Sequence, residues 1–583
     1  MKVCLIFTPF GSFSMVPLGI SYLKSFILKN LHGVRVKNID LSNNFYHNLT
    51  NTEFLCNITN LCEECSKLNN MTECQGILKK LNDGKITHGE IVFASKSLIS
   101  RFRSRAFYDP NKYNQVLVAY NDVYYALIRC INKYLAAYLT LDHRDYNSIL
   151  QKKLIYNDLS VILKQNPDVV GLSIFQSEQL KYSLALAQGL KKIKKDLKIV
   201  FGGAYISHLD AKVLLQMFDF IDFIVHKEGE LALTELLKNL KTKKFNRVPS
   251  LIYRSSNRIL QNKTSVVHEL NNIPFPDHKD FNLKKYYTPT PVVSTLFSRG
   301  CPWGGCTYCT LNKSFAKPYR TRSVKNFIKE LQNYRKKGIK NLYFSDEMIT
   351  ASDLGRICEI IIKRKIKMNF LTMVKPTGDF TEEIFEKMNK AGFKMLIWGV
   401  ESFSQRVLDA MNKGTNSQEI QKVLKRASER KLKNTVFLIH HFPTQTEKEM
   451  LQDYKYLKKN AKYIDYAVVH EFCLEEGSPI SYNLNKFGLK NCKKSPLLKT
   501  NRGVLLHPNL LYHKQVDYDR VHKLKRGLIK KSKELQRIFK PLYNQAWYYG
   551  IEHILLHSSN KPILSTDASK GQRRILKVFR KDG

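Results

Sequence analysis

The sequence predicts an α/β chain with two parallel sheets. An N-terminal doubly wound sheet with a helical insertion precedes a partial (β/α)6 barrel of the TIM type, and a helical C-terminal cap follows. Three observations lead there. Short apolar runs alternate with amphipathic helices over residues 1–245 and again over 292–475, the pattern of parallel strands joined by crossover helices. A polar stretch at about 45–155 breaks the first alternation and is too long for a structureless loop inside a compact domain. Prolines at 249, 274, 276, 289 and 291 mark an ordered linker, 246–291, between the two alternations.

Composition bounds the function. At 583 residues the chain has room for about three or four domains. With 43% hydrophobic and 11% aromatic residues it falls among globular chains. Apolar runs are too short for a membrane span, and Pro9, Gly11, Pro17 and Gly19 break the uncharged stretch 3–23, so no signal peptide is expected. Twelve cysteines without an export signal point to a reducing cytoplasm. The net charge of +45 favours polyanions, nucleic acid among them. No basic–aromatic nucleic-acid motif stands out, so the charge reads chiefly as lysine-rich, solvated helix faces.

In chain order, Val3–Phe7 reads as a buried strand, and Thr8-Pro9 and Pro17-Leu18-Gly19 lead into an apolar helix through Leu28. Val34–Asp40 is a second strand. The insertion carries Cys56, Cys62, Cys65 and Cys74; the Cys62-x2-Cys65 pair with the other two could hold zinc or an auxiliary cluster, but their spacing matches no known signature and they read chiefly as small core residues. The alternation resumes at Asp168–Ser173, helix Glu178–Lys194, strand Lys198–Phe201, Gly202-Gly203, strand Phe220–Val225 and the helix begun by Glu228-Gly-Glu230. Ligands of such sheets bind at strand carboxyl ends, here Thr8, Ser173 and the Gly202-Gly203 pair, where backbone can approach closely. The linker predicts a strand pair at 250–253 and 265–268. The barrel strands are 292–297, 341–344, 369–374, 395–400, 435–439 and 463–469. Residues 476–583 are basic, with a helix at 519–543.

Between the first barrel strand and its helix lies Arg299-Gly-Cys301-Pro-Trp-Gly-Gly-Cys306-Thr-Tyr308-Cys309. Soft thiolates so closely spaced select zinc or an iron–sulfur cluster. Three is the informative count. A structural zinc wants a fourth ligand, and the nearest histidine, His278, lies before the strand. A cluster held by three thiolates keeps one iron open for chemistry.

This loop resembles the radical S-adenosylmethionine (SAM) signature, with one residue more than usual between Cys301 and Cys306. The Trp-Gly-Gly insertion is similar to the form found in cobalamin-binding members. The preceding domain, through its Thr-Pro, Pro-Leu-Gly, Val-Gly-Leu-Ser, Gly-Gly and Glu-Gly-Glu segments, resembles their cobalamin-binding domain. No Asp-x-His-x-x-Gly follows the first strand, so no histidine from that position is expected on cobalt.

The resemblance implies a [4Fe–4S] cluster on Cys301, Cys306 and Cys309. It implies SAM near Asp346, Glu347, Glu401, Tyr308 and Ile439, and cobalamin near Thr8, Ser173, Gly202 and Gly203. Glu401 stands in Gly399-Val-Glu-Ser402, followed by Met411-Asn-Lys413-Gly414, as the family's Gly-x-Glu-Ser…Lys-Gly segment does. His440-His441 replaces the family's usual Gly-x-Pro. The implied activity is reductive cleavage of SAM and functionalisation of an unactivated C–H bond. The expected outcome is C-methylation of a peptide or natural product, with a reductase, flavodoxin or ferredoxin supplying electrons. A methylthiotransferase-like enzyme acting on RNA and a non-enzymatic cobalamin or cluster sensor are the rival readings.

Overall fold

The structure is a computed structural model describing residues 1–58, 127–136, 149–314, 318–512 and 516–539, with isolated positions 60, 96, 103, 139, 555 and 556. Cys62, Cys65 and Cys74, with most of the expected helical insertion at about 45–155, lie outside the described residues. Among the described residues no helix is long and apolar enough to cross a membrane.

The first unit runs β1 (Lys2–Phe7), α1 (Leu18–Asn30), β2 (Arg35–Asp40), α2 (Leu41–Asn48), α3 (Ile149–Leu163), β3 (Val169–Ser173), α4 (Ser177–Ile193), β4 (Lys198–Gly202), α5 (Ala211–Met217), β5 (Phe223–Val225), α6 (Gly229–Asn239), β6 (Leu251–Ser255) and β7 (Arg258–Gln261). The strands form one sheet in the order β2-β1-β3-β4-β5-β6-β7. Strands β1 to β5 are parallel, their apolar runs covered by helices on both faces. The expected linker strands differ in place. They form a tight hairpin at 251–255 and 258–261, and β6 adds antiparallel to β5. The turn at Ser256-Asn257, with Ser256 at φ 51°, closes the hairpin locally and leaves 265–268 out of the sheet.

The second unit runs β8 (Val292–Thr295), β9 (Ser298–Arg299), α7 (Leu311–Ser314), β10 (Arg320–Thr321), α8 (Val324–Lys336), β11 (Asn341–Phe344), α9 (Ala351–Lys363), β12 (Asn369–Val374), α10 (Glu382–Ala391), β13 (Phe393–Glu401), α11 (Gln405–Ala410), α12 (Ser417–Glu429), β14 (Lys433–His440), α13 (Glu447–Lys459) and β15 (Tyr466–Glu471). Six parallel strands lie in chain order, β8-β11-β12-β13-β14-β15, an open barrel whose strand carboxyl ends point one way. Local chemistry sets its helix boundaries. Ser323, Thr350, Thr381, Asn416 and Thr446 each accept a backbone N–H as N-caps, and Gly392 at φ 110° ends α10. The cap expected to be helical opens instead with an antiparallel hairpin, β16 (Lys493–Thr500) and β17 (Gly503–Leu511). Helices α14 (Tyr518–Lys531) and α15 (Lys533–Phe539) follow.

The two units share a core. Phe10, Phe13 and Tyr46 of the first join Tyr343, Leu371, Met395 and Ile397 of the barrel strands in one apolar cluster. Tyr287 N–H donates to the Phe13 carbonyl at 3.1 Å. The loop after β1 therefore packs against the barrel itself.

Candidate active site

The cysteine loop emerges from β9, and its two ends are held differently. On the upstream side Arg299 and Arg320, both buried, face the buried carboxylates of the Glu228-Gly-Glu230 turn at the start of α6. Arg299 donates to Glu228 at 2.7 Å and to Glu230 at 2.6 Å, while Arg320 donates to Glu228 and to the Val267 carbonyl. Two cations meet two anions, so charge balances where the units join.

Further on, the loop docks on the segment after β13. Thr307 N–H donates to the Met411 carbonyl at 2.9 Å, Trp303 Nε1 to the Asn412 carbonyl at 2.9 Å, and Asn412 Nδ2 to the Gly305 carbonyl at 2.7 Å. Gly414 has φ 63°, and a Cβ there would lie 2.4 Å from the Trp303 ring. Lys375 Nζ stands 3.6 Å from the centre of that ring. The extra residue of the Trp-Gly-Gly insertion thus places an indole flat on Gly414.

Glu401 ends β13 at a bulge, with φ 69°, and its Oε1 accepts from Lys413 Nζ at 2.8 Å. Both groups are buried. Lys413 Nζ also donates to the Tyr308 hydroxyl at 3.3 Å. A Cβ on Gly399 would approach the Glu401 carboxylate to 2.9 Å, so only glycine leaves room for the pair. Buried Asp453 braces the turn by accepting from Phe403 N–H at 2.7 Å, and His440 turns inward with Nε2 3.3 Å from Asp453. Lys413 stands in the Met411–Gly414 segment, to which the sequence alone assigns no role for it. Its lone charge beside Glu401 twelve residues earlier was the signal.

The other expected SAM residues divide. Tyr308 and Ile439 border one apolar cluster with Met411, Phe442 and Phe472. Asp346, expected as an open carboxylate, is buried and accepts from Phe297 N–H at 3.1 Å and Ser298 Oγ at 2.6 Å. Burial pushes it up to about 6, and it braces the start of the loop rather than facing the cleft. Glu347 is exposed and near enough to Cys309 to raise that thiol.

Cys301, Cys306 and Cys309 are free thiols. Desolvation raises Cys306 and pushes Cys309 up to about 11, the neighbouring thiolates add to both, and Lys413 pulls Cys306 down. His278 is no fourth ligand, because its Nδ1 lies 3.0 Å from Ser21 Oγ and its Nε2 3.1 Å from the Tyr334 hydroxyl.

At the carboxyl edge of the first sheet, Thr8 is buried, its hydroxyl accepting from Ser183 at 2.9 Å and its carbonyl from Gln179 at 2.6 Å. Ser173 is half-buried beside Phe175, a ring left 63% exposed. Gly203, at φ 103°, allows Ile174 backbone to approach where a Cβ would sit 2.4 Å from it. Gly202 is under no such demand, since a Cβ there meets nothing nearer than 3.5 Å. Beyond β4, His208 Nδ1 contacts Glu475, whose other oxygen accepts from Thr310 Oγ1 at 2.7 Å. The first unit's carboxyl edge is thereby tied to the cysteine loop.

Comparison with known proteins fits these observations. A sequence model described as the radical SAM superfamily matches residues 295–457, and one described as the B12-binding domain matches 149–237. This chain carries a radical SAM domain and a B12-binding domain. It is 29% identical over 345 residues to an uncharacterised methyltransferase of Pyrococcus horikoshii, covering 57% of this chain and 73% of that protein. Its fold is that of the radical SAM methyltransferase TsrM of Kitasatospora setae, solved with cobalamin and a [4Fe–4S] cluster bound. The TM-score is 0.60, with 12% identity and 99% of each chain covered. It also resembles the cobalamin-dependent SAM radical enzyme OxsB, with TM-score 0.58, 16% identity, and 99% of this chain and 74% of that chain covered. The B12-binding match begins after the insertion, whereas β1 and β2 of the same sheet come before it.

The cofactors of this architecture are a [4Fe–4S] cluster, SAM and cobalamin, and the donor sets fit. Three free thiols share one loop, and among the described residues no histidine, cysteine or carboxylate completes a four-ligand metal group with them. The sheet edge offers the exposed Phe175 face, and no histidine occurs at positions 8–17.

Proposed function

We propose that this enzyme C-methylates an unactivated carbon of a peptide or natural-product substrate, using SAM and cobalamin with electrons from a flavodoxin- or ferredoxin-type donor. The observation that supports the reading is the Thr310–Glu475–His208 chain, which ties the edge of the B12-binding unit to the cysteine loop. Cys301, Cys306 and Cys309 would hold the cluster, and the apolar Tyr308–Ile439 surface would take the adenine of SAM. Glu401, fixed by Lys413, would accept hydrogen bonds from the hydroxyl or ammonium groups of SAM. Exposed Glu347, rather than buried Asp346, would face its methionine part. Thr8, Ser173, Gly202 and Gly203 would line the cobalamin edge. When bound, these groups supply one-electron cleavage of SAM and methyl transfer to carbon. The protein's part is to orient them and exclude water.

The test is anaerobic incubation of the reconstituted enzyme with reductant, CD3-labelled SAM and a pool of small molecules and peptides. Label in a product is the expected result, lost in Cys306→Ala. 5′-Deoxyadenosine without label moves the reading to another radical outcome. A reconstituted spectrum without a corrin band removes cobalamin.

A further inference from the structure

The proposed chemistry leaves unused a group at the junction of barrel and cap. His441 follows β14, Glu471 ends β15, and His522 lies on α14, and one ligand atom from each falls within 4.8 Å of the others. His522 Nε2 is 2.9 Å from Glu471 Oε1. Two imidazoles and a carboxylate are the donor set of three-ligand sites for borderline divalent ions, which keep a further position open. Ligands bound at about 2.0–2.1 Å in tetrahedral geometry stand about 3.3 Å apart, so small side-chain rotations separate this trio from a chelate.

Three features mark more than chance proximity. His441 is held at φ 58°, a left-handed conformation that a histidine keeps only where its surroundings impose it. That turn, secured by Gln445 N–H donating to the Phe442 carbonyl at 2.8 Å, keeps buried His441 beside the open end of β15. Tyr518 packs its ring 4.1 Å from His522 and 5.2 Å from His441, and its hydroxyl bonds Glu471, so the aromatic wall and the outer hydrogen bond come from one residue. Burial is graded, with His441 inside, His522 half-buried and Glu471 exposed, which leaves a path for an ion from solvent. Lys525 also faces Glu471 and competes for its charge.

We infer that His441, Glu471 and His522 form a second metal site, separate from the cysteine loop, that binds a zinc-class divalent cation and fastens the cap to the barrel mouth. Folding brings the three together from positions 30 and 51 residues apart.

The test uses full-length protein in a Cys301→Ala/Cys306→Ala/Cys309→Ala background, so that the cluster ligands contribute no zinc. Zn2+ alone is added, excess is removed by gel filtration, and zinc per chain is measured by mass spectrometry. The expected result is one zinc more per chain than in the same background carrying Glu471→Gln and His522→Gln, with Zn2+ affinity at least ten-fold weaker in either single variant. Both changes lie outside the strained turn, and matching circular dichroism confirms that the compared chains are folded. Equal zinc content in folded chains overturns the proposal and leaves the trio as a hydrogen-bonded brace. Such an outcome leaves the SAM reading intact, since that reading is tested with the cysteines present.

Discussion

Two buried ion clusters flank the cysteine loop. Upstream, Arg299 and Arg320 meet Glu228 and Glu230, each arginine fork matched to carboxylates at the seam between the units. Downstream, Lys413 meets Glu401 on a bulged strand end beside Tyr308 and the thiols. The first cluster is built of planar, multidentate pairs and is suited to holding the loop's base. The second is a point charge and one carboxylate at the open end of a barrel strand, where a ligand could share them. Burial alone does not separate them. What differs is how many hydrogen-bonding positions the protein itself uses.

That contrast can be broken or sharpened, beginning with the largest effect. Glu228→Gln leaves two buried guanidinium groups short of an anion and is expected to destabilise the fold by about 3–5 kcal/mol in denaturant unfolding. A change under 1 kcal/mol would show that the seam cluster does not hold the units together. A second seam contact should make stability pH-dependent. Burial lowers His278 from its ordinary value to about 4, with Lys337 adding and Asp277 opposing. The unfolded chain therefore binds a proton between pH 6.5 and 4 that the folded chain refuses. This contribution is present above pH 6.5 and about 3 kcal/mol of it is lost as pH falls through that window. His278→Gln should flatten that part of the profile, measured by unfolding at pH 7 and pH 4.5.

Glu401→Gln should act mainly on ligand, weakening SAM binding about ten-fold, or about 1.4 kcal/mol, in a calorimetric titration of the reconstituted enzyme. Loss of stability as large as that of Glu228→Gln would erase the distinction between the clusters. The smallest effect is expected for Gly414→Ala, which forces Trp303 aside and places a side chain at φ 63°. It should cost about 1 kcal/mol and appear as lowered iron content after reconstitution. Unchanged iron would mean that the indole contact does not hold the loop.

Much of the architecture was legible because it is written locally. The alternation of β3, α4 and β4, the caps at Ser323 and Thr381, and the spacing of Cys301, Cys306 and Cys309 are patterns within a few residues. Each follows from backbone geometry or metal-ligand preference. Glu401 is marked in the sequence by its resemblance to the family's Gly-x-Glu-Ser segment at a barrel strand end. The hairpin at 251–261 was misplaced by a few residues, since a short polar strand such as Arg258–Gln261 has almost no apolar signal.

Sequence alone determined the two parallel sheets and the three-thiol loop after the first strand of the second, because period and spacing belong to the chain itself. Tertiary structure alone decided which charges meet. Glu228 finds Arg299 across 71 residues and His208 finds Glu475 across 267. It also buried Asp346 and left Glu347 outside, although the two are adjacent in the chain. A carboxylate's neighbours, and hence whether it braces or binds, depend on packing between distant elements, which no local pattern carries.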